Sequence, residues 1–324
     1  MKDNLQLFYD FCQNSKKAHD IDPALSYMRE VVKEHNYTTE ETVWWCFLYA
    51  VTYDLAGSFI LFNELPHPAD LGRFDPEKWV GWWKEYQSLV PYQKDKIKQR
   101  VHLIDTIMSY KILTEGQQYH YLKKVLNTGG KGNSQANFDR IWSALQSVSY
   151  FGRFSIWNFL QALHEVALMD IEPPTLMIGE PDAVAITDGL AFAFGLTDLV
   201  TKKVTDPATG KTKKIYHKWT DEEKDELEQA CILLRSDLKL DNFQLETLAS
   251  SFMKLFRSND SRYVGYHNDR LADELRINSK VWKIPTWSDL WKVREKVVPS
   301  EYLHNNSGVN KDWMKLPADK KIYL

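Results

Sequence analysis

An arginine directly behind a glycine turn, followed at a distance by two close carboxylates, is the pattern in this chain that most suggests chemistry. The stretch Trp142 to Pro174 holds Gly152, Arg153, Asp170 and Glu172. Its apolar spacing predicts one helix ending near Val148, a tight turn over Ser149 to Arg153, and a second helix from about Phe154. Ile156, Leu160, Leu163 and Ala167 fall on one face of that second helix. Gly152 is free to take backbone angles that other residues avoid. A helix N-terminus behind such a turn offers unpaired N–H groups to an anion, and a nucleic-acid phosphate is the obvious candidate. Two helices around a glycine turn also occur in many proteins that never meet DNA, so this layout alone leaves both readings open.

A second charged feature lies between Leu199 and Trp219. Two short β-prone runs flank Asp206-Pro207-Ala208-Thr209-Gly210, a good turn sequence, which predicts a β-hairpin inserted among helices. It carries Lys202, Lys203, Lys211, Lys213, Lys214 and Lys218, with Asp206 at its tip as the one acid. Such a ribbon is either a solvated surface or an arm laid along a nucleic-acid backbone. The loop from Asn127 to Ser134 lacks the spacing of a phosphate-binding Walker motif, and no strand precedes it. No metal constellation is legible. There is no His-x-x-x-His, and Asp20 with Asp22 is too sparse a pair.

The elements that must hold these residues read as mostly helical. Helices are expected at about 3–17, 23–35, 39–62, 76–87, 93–113, 117–127, 135–148, 154–168, 184–195, 220–235, 241–257, 261–276 and 286–297. Asp22-Pro23 and Asp75-Pro76 place a cap before a first-turn proline. Thr38 to Glu41 and Thr220 to Glu223 resemble capping boxes. We expect an all-α fold: one large helical domain over 1–301, interrupted by the hairpin at about 199–219, then an irregular tail over 302–324. The 324 residues, 44% hydrophobic and 26% charged, suit a soluble protein with a substantial core. No run of eighteen apolar residues and no signal-peptide core are present, so a membrane span is not expected. Cys12, Cys46 and Cys231 are scattered, which points to a reducing cytosol. A net charge of −3 counts against non-specific coating of nucleic acid, though not against a local basic groove. Twelve tryptophans and sixteen tyrosines build a core or offer stacking surfaces for an extruded base.

The Trp142–Pro174 layout is similar to that of the helix-hairpin-helix DNA glycosylases, without their Leu-Pro-Gly-x-Gly hairpin. Four segments together resemble something more specific. They are His19 to Ala24; Trp44 to Tyr49, running through Tyr53 to Phe62-Asn63-Glu64-Leu65-Pro66; Gly152 to Phe154 with Leu160 to His164, Asp170 to Pro173 and Asp188-Gly189-Leu190; and Arg262-Tyr-Val-Gly-Tyr-His-Asn-Asp-Arg270. Their order resembles the phage amino acid:DNA transferases, also described as α-glutamyl/putrescinyl-thymine pyrophosphorylases, over about residues 19 to 275. Where that pattern leads us to expect Asn-Gly before Leu190, this chain has Asp188-Gly189.

The resemblance implies chemistry on phage DNA in the cytoplasm of an infected bacterium. A 5-hydroxymethyluracil base, already pyrophosphorylated, would exchange pyrophosphate for an amino acid or polyamine. The base must leave the stack, with Gly152, Tyr150 and Phe151 holding the backbone or wedging the gap. Arg153 and Arg270 are the candidates to grip pyrophosphate, ahead of Arg100 and Lys111. Asp170, Glu172 or Asp269 would accept the nucleophile's proton, although Asp170 equally suits a cap of the next turn. Asn63, Glu64, Tyr266 and Asp188 are candidates for reading the base or donor, with a buried polar pair the other reading of Asn63 and Glu64. His164 and Tyr53 suit proton transfer or stacking, or packing alone. Lys202, Lys203, Lys213 and Lys214 would contact DNA. No cofactor is required, and magnesium would enter only on pyrophosphate. Other phage DNA-modifying enzymes are expected partners. A base-excision glycosylase of the same fold, and a non-catalytic DNA-binding module, are the alternatives.

Overall fold

The computed structural model describes residues 3–65, 76–127, 133–180, 183–205, 209–256 and 262–303. Fifteen α-helices and one two-stranded sheet occur among them. The fold is therefore all-α with a small hairpin, as the sequence leads one to expect. In chain order the helices are α1 (Asn4–Lys17), α2 (Pro23–His35), α3 (Thr39–Thr52), α4 (Leu55–Glu64), α5 (Pro76–Tyr86), α6 (Ile97–Val101), α7 (Leu103–Thr114), α8 (Gln118–Asn127), α9 (Ser134–Leu145) and α10 (Arg153–Glu165). After them come α11 (Val184–Ala193), strands β1 (Lys202–Thr205) and β2 (Thr212–Ile215), α12 (Asp221–Leu238), α13 (Asn242–Phe252), α14 (Tyr266–Val281) and α15 (Trp287–Val297). The contacts cluster into two compact units, each discontinuous in sequence. Unit 1 comprises 1–23, 175–269 and 298–324; unit 2 comprises 24–174 and 270–297.

In unit 2 the expected helix over 39–62 is two helices. Tyr53 takes a left-handed conformation, φ 47°, and Asp54 then caps α4 by accepting from Gly57 N. A Cβ at Gly57 would stand 2.1 Å from the Pro91 carbonyl oxygen, so α4 starts where a backbone can press against it. The expected helix over 93–113 likewise breaks at His102, between α6 and α7. An aromatic core holds the unit together. Phe47 stacks on Tyr110 at 4.0 Å and on Phe151 at 5.2 Å, with Phe159 edge-on. Trp45 is fully buried and donates to Ser58 Oγ at 3.2 Å, which spares its N–H a desolvation penalty.

In unit 1, α11 and α13 approach so closely that a Cβ at Gly189 would lie 2.0 Å from the Ala249 carbonyl oxygen. Lys16, in the last turn of α1, donates to the Leu238 and Lys239 carbonyls at the C-terminal end of α12. The capping boxes at Thr38/Glu41 and Thr220/Glu223 form, as does one at Asp241/Gln244 that the sequence reading missed. Pro23 and Pro76 open helices as expected. Strands β1 and β2 pair antiparallel, Lys203 opposite Lys214 and Val204 opposite Lys213. Tyr302, assigned to the irregular tail, is buried in a short 3-10 turn. Asp75, Asp206 and most of the Asn127–Ser134 loop lie outside the described residues.

Candidate active site

The fourth sequence segment meets the first segment in unit 1 and the second segment in unit 2. In unit 2, Arg270 donates through Nε to Glu274 Oε1 at 2.7 Å, one turn along α14. Asp54, the cap of α4, lies close enough to act on both charges. Two largely buried carboxyls thus share one guanidinium. Burial pushes the Glu274 carboxyl up, the charge of Asp54 adds to the rise, and Arg270 offsets part of it. Burial raises Asp54 as well, against the Gly57 N–H and Arg270. Glu274 Oε2 is buried with no hydrogen-bond partner among the described residues. Such a pair has room to hold a proton, since two negative charges on one cation leave an excess that a buried site tolerates poorly. Arg270 remains 31% exposed with its Nε occupied by Glu274.

In unit 1, Asp20 is buried and serves the start of α14 from far away in sequence. Its carboxylate accepts from Gly265 N at 2.8 Å and Asn268 N at 2.9 Å, and Asn268 returns hydrogen bonds to the Ala18 and His19 carbonyls. Burial pushes Asp20 up to about 8, although the backbone donors favour its charged form. Beside it the Tyr263 hydroxyl donates to Asp269 Oδ2 at 2.7 Å. Burial, then the Asp269 contact, raises the Tyr263 phenol. Tyr266 is half-buried, edge-on to Tyr263, with the Arg262 guanidinium 4.9 Å above its ring.

The glycine turn is built differently from its sequence reading. Gly152 is exposed, with an ordinary φ of −74°; the left-handed residue is Tyr150, φ 58°. Phe151 is 2% exposed and stacked in the aromatic core, so it is no wedge for DNA. Tyr150, 46% exposed, stacks face to face on His102 at 3.8 Å. Gln99 donates to the Tyr150 carbonyl and Ser109 accepts from Ser149 N, which fixes the turn. Lys96, fully buried, reaches Ser155 Oγ at 2.7 Å behind the first turn of α10 and lies 4.4 Å from the Phe154 ring centroid. Arg153 is half-buried over the Trp157 ring.

Other candidates are dispersed. Asp170 is exposed, and its carbonyl accepts from Asn137 Nδ2. Glu172 is half-buried, its N–H on the Ser134 carbonyl. Asn63 and Glu64 are exposed rather than a buried pair, with Asn63 Nδ2 on the Phe59 carbonyl. Asp188 accepts from both N and Oγ1 of Thr201 and so anchors the root of the hairpin. Lys202, Lys203, Lys213 and Lys214 are all exposed. Arg100 donates to the Gln87 carbonyl rather than to an acid. The sequence reading missed Asp20, Asp54, Lys96 and Glu274. Only Asp20 and Asp54 fall inside the four segments, where a carboxylate amid apolar neighbours was the available signal.

Residues 16–261 match the amino acid:DNA transferase family, and the chain belongs to that family. It is similar to a protein called serinyltransferase from Salmonella phage ViI, 27% identical over 277 residues. That alignment takes in 82% of this chain and 65% of the relative's length. No solved structure matches the chain.

Proposed function

We propose that this protein transfers an amino acid to pyrophosphorylated 5-hydroxymethyluracil in DNA and releases pyrophosphate. The observation that carries the reading is Arg270, held through Nε by Glu274 and partly exposed, in a chain of the amino acid:DNA transferase family. The bond from the exocyclic methylene carbon to the pyrophosphate oxygen breaks, and its electron pair leaves with pyrophosphate. The donor's nitrogen or oxygen forms the new bond to that carbon and gives up a proton. Arg270 meets the charge growing on the leaving group. A carboxyl of the Asp54–Glu274 pair takes the proton, its affinity already raised by burial. Glu274 also positions Arg270.

Such chemistry needs the base outside the stack. The braced turn before α10, with the exposed Tyr150–His102 stack beside the helix start, suits a phosphate and an unstacked ring. The lysine hairpin supplies further contacts to the DNA backbone. The site of action under this reading is the cytoplasm of an infected bacterium.

The test incubates purified protein with DNA bearing the pyrophosphorylated base and a mixture of amino acids and putrescine, serine first among them. Mass spectrometry of the nucleosides should show added donor mass on an intact N-glycosidic bond, with pyrophosphate released. Abasic sites would instead establish a glycosylase. Binding to DNA without conversion by any donor would favour a recruiting module.

A further inference from the structure

The β1–β2 hairpin carries more than charge. Side chains alternate along a strand, and residues directly opposite one another share a face. The pairs Lys202–Ile215 and Val204–Lys213 therefore lie on one face, and the pair Lys203–Lys214 on the other. On the first face Val204 is 42% exposed and Ile215 47%. Strand formation asks only for β-branched side chains, and Thr205 and Thr212 meet that need in the same strands with less hydrocarbon. Lys213 has no charged partner among the described residues. Lys202 lies 3.9 Å from Asp198, itself almost wholly exposed, in a pair that water screens. On the second face, by contrast, the charge of Lys214 already acts on Asp188. Two aliphatic side chains are thus held in solvent between two cations.

The matching surface is anionic at its edges and apolar between them, and the major groove of duplex DNA has that character. It admits a two-stranded ribbon, phosphates line its rims, and the C5 methyl of thymine stands on its floor as hydrocarbon. The minor groove, about 6 Å wide against about 12 Å, does not display that methyl. A single strand is held by stacking on aromatic rings, and neither β1 nor β2 carries one. An arm that met phosphates alone would have no use for the aliphatic pair.

We propose that the face of Lys202, Val204, Lys213 and Ile215 enters the major groove of duplex DNA. Val204 and Ile215 pack there on the C5 groups of pyrimidines, while the lysines of both faces reach phosphates along the rims. This takes its partner from the transfer reading. It gives the hairpin a part in selecting duplex rich in 5-substituted pyrimidines, apart from the chemistry itself.

The test measures the affinity of the full chain for two duplexes of one sequence at fixed salt, one built with thymine and the other with uracil, so that only the C5 methyl groups differ. The thymine strand alone is the third probe. Wild type should favour the thymine duplex by about fourfold for each methyl covered, and should bind either duplex more tightly than the single strand. Val204→Thr with Ile215→Thr keeps β-branching and charge; it should erase the preference for thymine while leaving the uracil affinity and the salt slope unchanged. Lys213→Gln should instead weaken both duplexes equally and lower the salt slope by about 1. Equal affinity of wild type for the two duplexes overturns the proposal. So does a preference that persists in the double threonine variant, a single strand bound as tightly as duplex, or no binding to DNA at all. Transfer to DNA with no thymine preference would remove the groove assignment and leave the transfer reading standing. A preference lost in the variant, with no donor ever transferred, would do the reverse.

Discussion

Arg270 is the residue on which the proposed chemistry turns, and its usefulness comes from Glu274 rather than from its own position in sequence. The salt bridge occupies Nε and fixes the guanidinium plane. Glu274→Gln keeps an oxygen for Nε but removes the charge and the titrating proton. Transfer should fall by about 100-fold. The wild-type rate should decline on the acid side at a pH above the usual carboxylate range, and the variant should lose that limb; a pH–rate profile of both proteins checks this. Asp170→Asn should retain transfer, because the exposed carboxylate lacks the environment of a base. Asp20 makes a separate pH prediction. Its folded carboxyl titrates near 8, well above an unfolded aspartate. Folding therefore takes up a proton, so the contribution to stability is whole below about pH 4 and is lost as pH rises through 8. Urea midpoints from about pH 5 to about pH 8.5 should fall more steeply in wild type than in Asp20→Asn. The sequence made Arg270 and Asp269 visible as charged residues in a conspicuous segment. It could not show that Glu274 and Asp20 matter, because Glu274 meets Arg270 one helix turn on and Asp20 meets the Gly265 N–H across 245 residues.

At the scale of elements, helical periodicity was legible and its interruptions were not. The stretch 39–62 keeps an apolar pattern throughout, yet it breaks at Tyr53, and Gly57 in the helix that follows lies against Pro91, a residue no local window contains. Gly57→Ala should cost about 1–3 kcal/mol or more through forced displacement of that backbone, read as a lowered thermal midpoint. The same reasoning gives the opposite result at Gly152. Its φ is ordinary and an added Cβ would meet nothing within 4 Å. Gly152→Ala should leave stability within about 0.5 kcal/mol of wild type. If the DNA backbone lies against this helix start, the same variant weakens DNA binding, which a filter-binding titration would show. The capping boxes were readable because their partners sit three residues apart. The left-handed residue in the glycine turn was misplaced by two positions because Tyr150 is stabilised there by His102 and Gln99, from another helix.

Over the whole molecule, charge is segregated. The segment 199–219 carries six lysines and one aspartate, a formal +5, which leaves −8 on the rest of the chain. Lys203 and Lys214 face each other directly across the ladder, an arrangement that costs stability unless an anion lies beside it. Lys203→Gln with Lys214→Gln should leave the fold intact and lower the salt slope of DNA affinity by about 2, as measured by titrations at several salt concentrations. The Asp20 contact bears equally on how the chain comes off the ribosome. Unit 1 joins the stretch up to Pro23 to the stretch 175–269, and α14 receives its N-terminal carboxylate from a residue made some 245 positions earlier. The opening helix must wait, unpartnered, while all of unit 2 up to Pro174 is synthesised. Unit 2 in turn completes only once 270–297 have been made. A ribosome stalled after residue 174 would therefore hold a chain whose first helix is still open to proteases, whereas the released protein would protect it.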